Sequence, residues 1–254
     1  MPETKLLVHD LHLAYPVEAG GTLPVLAGVS FDIAPGEFVS VIGPSGCGKS
    51  TLFDVVAGLL RPDAGRVLVD GEDATGRTEP FAYMPQQDLL FPWRTVLDNA
   101  ALGLQVAGMR RRAARERARA LFGPVGLAGF EDARPFELSG GMRQRAALLR
   151  TVVLDRPVLL LDEPFGALDS LTRTDMQTWL EDVRARFDWT VLLITHDIRE
   201  AAFLSDRVVV LGSRPTRVRR EAVVDLPRPR SLADITSPRF AAVEEELLAA
   251  LRTP

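Results

Sequence analysis

Short β-branched apolar runs alternate with helical patterns along most of the chain, which predicts an α/β fold on a mainly parallel sheet. The N-terminal part reads differently. There "KLLVHDLHLAY" (5–15), "LAGVSFDI" (26–33) and "EFVSVIG" (37–43) are predicted strands joined by short links, the last being the turn "APGE", so an antiparallel unit is expected. "EFVSVIG" then runs through a glycine-rich turn into the helical pattern "KSTLFDVVAGLL" (49–60), which "RPDAG" ends. Further strands are predicted at "GRVLVDG" (65–71) and "FAYMPQ" (81–86). Residues 95–154 read as largely helical, and three apolar strands follow at "VLLLDE" (158–163), "VLLITH" (191–196) and "RVVVLG" (207–212). In the tail, Phe240, Val243, Leu247 and Leu251 fall on one helical face, which predicts a helix docked on the body. No repeat or low-complexity linker divides the chain. Residues 1–254 therefore read as one unit: a core of 1–87 and 157–226, a helical insertion of 88–156 and a tail of 227–254.

Composition narrows the functional classes. The chain has 254 residues, 46% hydrophobic and 25% charged, enough to bury roughly three quarters of its extended surface without cross-links. A net charge of −4 argues against non-specific nucleic-acid binding. The arginine-rich "MRRRAARERARA" is interleaved with alanine and an acid, and reads as a solvated helix. The one cysteine, Cys47, cannot form an internal disulfide and suits a reducing compartment. No signal-peptide pattern opens the sequence, and no apolar run approaches the ~20 residues of a spanning helix. The expectation is a soluble, cytoplasmic protein that reaches a membrane only through a partner.

The chemistry begins at "GPSGCGKST". It matches G-x-x-x-x-G-K-[ST] in its required setting, a strand before and a helix after. Gly43, Gly46 and Gly48 let the backbone curl so that its amides face phosphate oxygens, with Pro44, Ser45 and Cys47 completing the loop. The helix from Lys49 adds its positive dipole end. Lys49 is expected on the β- and γ-phosphates, the Ser50 hydroxyl on Mg²⁺ and Thr51 on the α-phosphate. Cys47 reads as a small residue that fits, whose thiol should leave the site sensitive to alkylation. "VLLLDEP" is an apolar strand ending in two acids. Asp162 is expected to serve Mg²⁺, and Glu163 to orient or deprotonate a water. His9 and His12 on the first strand read as structural.

Guanine readers need an N-K-x-D motif; the single asparagine, Asn99, lies in "LDNA", so a GTPase is excluded. A small-molecule kinase leaves "LSGGMRQR" (138–145) unexplained. With that stretch, "LAYP", "YMPQQD", "GALD" and "LLITHD" in order, nearly the whole chain resembles the ABC ATPase family, the nucleotide-binding subunits of ATP-binding-cassette transporters. The resemblance implies a P-loop NTPase (RecA-like) core with an antiparallel β subdomain and an α-helical signature subdomain. It implies adenine stacking by Tyr15, a γ-phosphate and Mg²⁺ sensor at Gln86 rather than its neighbour Gln87, a D-loop at Asp169 and a γ-phosphate switch at His196.

"LSGGM" is a second cradle. Ser139 suits a helix cap, and Gly140 and Gly141 leave the following amides bare. In the family two subunits pack head to tail, so this turn closes over ATP held by the partner. The resemblance implies a homodimer that hydrolyses ATP and reopens, powering transport through integral membrane permease subunits, with a substrate-binding protein engaged indirectly. The alternative is a non-transport member acting in a nucleic-acid or ribosome-associated complex. "LFPW", "EPFGALD" and "LPRPR" are similar to importers of the nitrate, sulfonate and taurine group, with the usual "LLPW" changed; importers of thiamine-precursor pyrimidines share these segments. Phe91 and Trp93 either line the groove that receives a permease helix or belong to the core.

Overall fold

A computed structural model describes residues 4–17 and 20–252 of the expected 1–254 unit; the remaining residues lie outside the description. Two sheets organise the chain. The smaller is antiparallel, with β1 (Leu6–Pro16), β2 (Thr22–Ile33), β4 (Ala64–Val69) and the short β5 (Glu72–Asp73) in the order β2-β1-β4-β5. The larger contains β3 (Phe38–Ile42), β6 (Phe81–Met84), β7 (Val158–Asp162), β8 (Val191–Ile194), β9 (Arg207–Leu211) and β10 (Val218–Val223). Its order is β10-β9-β3-β8-β7-β6, parallel except for the antiparallel edge strand β10.

One strand expected in the antiparallel unit is not there. β3 pairs with β8 and β9, both parallel. All five of its residues are buried, as suits a central strand covered on both faces, whereas β1 keeps exposed positions. The "APGE" turn hands the chain from one sheet to the other, its Glu37 amide bonded to the Ala34 carbonyl at 3.1 Å.

Side-chain alternation divides the core between the two faces of the large sheet. Val39, Val41, Leu160, Leu192 and Val209 face α1 (Lys49–Val56) and the antiparallel sheet. Phe38, Ile42, Leu159, Leu161, Leu193 and Val210 face the other way, in one cluster with residues of α5 (Gly140–Val152), α6 (Ser170–Arg184), α7 (Ile198–Leu204) and α8 (Pro238–Arg252). A third cluster joins α2 (Val96–Ala100), α3 (Leu102–Val106), α4 (Arg111–Arg119) and α5. Within α4, Ala114 and Ala118 are buried while four of its five arginines pair with acids: Arg115 and Arg111 with Asp98, Arg112 with Glu116, Arg117 with Asp155. Phe240 and Leu247 of α8 are fully buried, with Val243 and Leu251 packed beside them, so the tail helix docks as its stripe predicts.

α1 is shorter than its pattern. It stops at Val56 because Gly58 adopts φ +74, where a Cβ would lie 2.2 Å from the Arg77 carbonyl oxygen.

Candidate active site

Parallel register brings the predicted chemistry to one edge. Val41 of β3 is level with Ile194 of β8, Ile194 with Asp162 of β7, and Leu161 with Met84 of β6. The glycine loop, Glu163, His196 and Gln86 all follow those strand ends. This carboxyl edge is where open α/β sheets present ligand sites, since the connections to helices diverge there.

A cleft of about 530 Å³ opens at this edge, lined by Ser45, Gly46, Gly48, Lys49, Ser50, Thr51, Glu163, His196 and Arg214. Gly48 caps α1 at φ 114 with no side-chain bond to the helix amides, and the first turn carries no acid. The helix start therefore presents bare N–H groups and an uncompensated dipole, a setting that favours an anion. Lys49 Nζ donates to the Gly43 and Pro44 carbonyls at 2.8 and 3.1 Å, which holds the ammonium against the loop. The Tyr15 hydroxyl lies 3.5 Å from Thr51 Oγ1, so the partly exposed ring stands beside the start of α1.

Cys47 is buried at 2% exposure, and its sulfur sits 2.9 Å from where a Gly43 Cβ would be. The thiol is packing beneath the loop. That corrects the expectation of ready alkylation, because the sulfur is shielded from solvent.

The carboxylates divide by environment. Burial pushes the Asp162 carboxyl above its ordinary range, and neighbouring Glu163 adds to the rise; the Tyr83 hydroxyl, donating at 3.3 Å, and the Lys49 cation oppose it. Burial, then the Asp162 charge, pushes the Tyr83 phenol up in turn, so Tyr83 stays a donor. Glu163 adopts φ 42, left-handed for a non-glycine residue and of order 1 kcal/mol or more in strain. Its amide still bonds to the Ile194 carbonyl at 2.8 Å, so the strain turns the residue at the strand end without detaching it. Gln86 Nε2 donates to Glu163 Oε2 at 3.2 Å, and His196 Nδ1 is 3.1 Å from the same oxygen.

Three or more His, Cys, Asp or Glu poised around a metal are not found among the described residues. A hard divalent ion needs no such cluster when phosphate oxygens and water complete its shell. The Ser50 hydroxyl in the cleft and the charge-crowded Asp162 are hard oxygen donors, and a cation would relieve the crowding. The residues present fit Mg²⁺.

The second cradle opens elsewhere. Ser139 caps α5 by accepting from the Met142 amide at 3.3 Å, and Gly140 lines a separate groove with Gln86, Gln87, Asp88 and Leu168. Ser139, Gly140 and Gly141 are not among the residues lining the Lys49 cleft. Asp169 caps α6, accepting from the Leu171 and Thr172 amides at 3.1 Å each; hydrogen bonding by the Thr172 side chain, then by the Thr172 and Leu171 amides, lowers its pKa. Phe91 and Trp93 are not core: Trp93 is 69% exposed, with the two rings 5.1 Å apart. His12 pairs with Asp10 at 3.0 Å in the antiparallel sheet.

Sequence reasoning missed Tyr83 and Arg214. A tyrosine in the apolar run "FAYM" hints at a polar partner; nothing near "SRPT" signals the phosphate loop, because the link is made only by the fold.

The family model described as "ABC transporter" matches residues 26–166. The aliphatic sulfonates import ATP-binding protein SsuB of Ralstonia nicotianae is 45% identical over 238 residues, spanning 94% of this chain and 80% of its own. The taurine import ATP-binding protein TauB of Rhizobium johnstonii is 42% identical over 255 residues, spanning 98% and 97%. Among solved structures, the dimeric post-hydrolysis state of the ATP-binding cassette MJ0796 bound to ADP and Pi superposes with a TM-score of 0.73 at 29% identity, covering 87% of this chain and all of that one.

Proposed function

Because this chain belongs to the ABC transporter family, we propose that it is the ATP-hydrolysing subunit of an importer, working as a homodimer beneath membrane-embedded permease subunits. No helix among the described residues is long and apolar enough to cross a membrane, so attachment to the inner face runs through those permeases.

The observation that carries the reading is the Glu163 carboxylate. Gln86 and His196 both engage its Oε2, which leaves Oε1 for a water at the wall of the cleft. ATP lies with its phosphates on the Gly43–Thr51 loop and its adenine on Tyr15. Ser50 and Asp162, beside Gln86, would hold a magnesium ion, which would supply neutralisation of phosphate charge. Lys49 and the loop amides stabilise negative charge as the γ-phosphoryl group transfers. Glu163 orients the attacking water and takes its proton, while His196 and Gln86 hold the carboxylate and follow the γ-phosphate. Ser139, Gly140 and Gly141 close over the nucleotide of the partner subunit, with Asp169 at the same junction. That pairing explains why the second cradle opens on its own groove.

Phe91 and Trp93 fit the permease contact, being aromatic, exposed and tilted against one another just after the Gln86 segment. Relatives named for aliphatic sulfonates and taurine support a small sulfonate-like cargo, with nitrate and thiamine-precursor pyrimidines as the other candidates. A substrate-binding protein and the permeases select the cargo.

Glu163→Gln tests both levels. It removes the proton acceptor and keeps the shape, so turnover should fall roughly 10²–10⁴-fold with ATP binding retained. Near-normal turnover overturns the assignment of Glu163. Tagged and extracted from native membranes with ATP, the same variant should bring down a polytopic membrane protein; recovery of ribosomal or DNA-associated proteins alone overturns the transport reading.

A further inference from the structure

The phosphate loop is held from outside by the turn between β9 and β10. The Arg214 guanidinium donates to the Gly46 carbonyl, and the Thr216 hydroxyl donates to the Cys47 carbonyl. Thr216 is fully buried, and its backbone is clipped to β2: its amide donates to the Val25 carbonyl at 2.7 Å, and its carbonyl accepts from the Ala27 amide at 2.9 Å. The strap therefore stands on sheet framework rather than on the loop it holds.

Peptide units are rigid planes with N–H opposite C=O. Pinning the Gly46 and Cys47 carbonyls outward fixes two consecutive planes. In the first, the Cys47 amide is also held, by the Pro44 carbonyl at 3.2 Å. In the second, the Gly48 amide is left turned toward the cleft that Gly48 lines. Sterics alone do not supply this order. Gly46 lies at φ +73, and a Cβ there would meet nothing within 4 Å, so no neighbouring atom packs against this residue and its orientation rests on hydrogen bonds, those of the strap and that of the Cys47 amide.

We propose that Arg214 and Thr216 are positioning residues for the nucleotide: they preset the phosphate loop with the Gly46 and Cys47 carbonyls turned away and the Gly48 amide ready. The proposal rests on the ATP-binding reading above. A preset cradle is used equally by bound ATP and by the transition state, so its loss raises KM and spares kcat. It also weakens ADP, which uses the same loop.

The experiment compares Thr216→Val, Thr216→Ser and Arg214→Met with wild type and with Lys49→Ala. It measures ATP and ADP dissociation constants, KM, kcat and the melting temperature without nucleotide. Arg214 is exposed, so Arg214→Met should melt as wild type does. Thr216→Val and Arg214→Met should each weaken ATP and ADP roughly tenfold and raise KM in step, kcat at saturation holding. Thr216→Ser should restore wild-type values. The Thr216 arm excludes simple charge attraction, because no charge changes. Wild-type ADP affinity in both variants, or a fall in kcat at constant KM, overturns the strap. If wild type itself bound no ATP, the underlying reading would fail instead. If wild type binds and Lys49→Ala does not, unchanged affinity in the strap variants condemns the strap alone.

Discussion

Glu200 is where a single isosteric change should stabilise this protein, and by an amount that depends on pH. The residue lies in α7, one turn beyond His196, and is only 3% exposed. Gln177 of α6 donates to one carboxylate oxygen at 3.0 Å, and the other meets no donor at hydrogen-bonding geometry among the described residues. Burial pushes its pKa from an ordinary 4.5 to about 7; Gln177, Thr195 and Arg173 pull it down in part, and Asp197 adds to the rise. A folded-state pKa above the unfolded one means that the native state binds the proton more tightly. The stability this contributes is complete below 4.5 and lost as pH rises through about 7. Above that, folding carries a buried charge that costs about 3 kcal/mol.

Glu200→Gln removes the charge and keeps an acceptor for Gln177. Arg173 retains Asp197 at 3.6 Å and donates to the Leu168 carbonyl at 3.1 Å, so its cation is not stranded. The variant should be more stable than wild type by up to about 3 kcal/mol at pH 8.5, a gain of about 6–12 °C in melting temperature, and the gap should close near pH 5. Urea unfolding of both proteins across that range is the assay. A pH-independent difference, or a variant less stable than wild type at pH 8.5, would refute the reasoning.

Phe240→Ala should cost about 3–5 kcal/mol, because the ring is fully buried between α8 and the sheet; thermal melting reads it, and ATPase per folded molecule should be unchanged. Ser139→Arg should leave ATP binding by the monomer intact while abolishing ATP-dependent dimerisation in size-exclusion chromatography with a non-hydrolysable analogue. Loss of monomer binding would contradict a role for Ser139 on the partner's nucleotide.

The parts that were legible in the sequence carry their information locally. The strands β7, β8 and β9 are apolar on both faces, which only a covered parallel sheet demands, and the glycine–lysine spacing of the loop is fixed by the backbone path it must take. The short turn between β2 and β3 suggests a hairpin, so the local pattern points β3 to the antiparallel sheet, while its true partners lie 150 residues and more away in β8 and β9. Exposure of Trp93, the shared hold of Gln86 and His196 on Glu163, and the reach of Arg214 to Gly46 are all products of tertiary placement. No spacing rule encodes them. The caps Asp169 and Asp197, which start α6 and α7 after the ends of β7 and β8, are likewise products of the fold.

The separation of the two cradles also has a genetic meaning. Under the head-to-tail pairing proposed here, each chain lends its Lys49 loop to one composite site and its Ser139 turn to the other. In a mixed dimer, a chain broken at Lys49 and a chain broken at Ser139 place both lesions in the same composite site, and the second site is assembled entirely from sound halves. Two alleles that are each inert as homodimers would then complement one another through one intact engine. Two alleles with lesions in the same cradle would not.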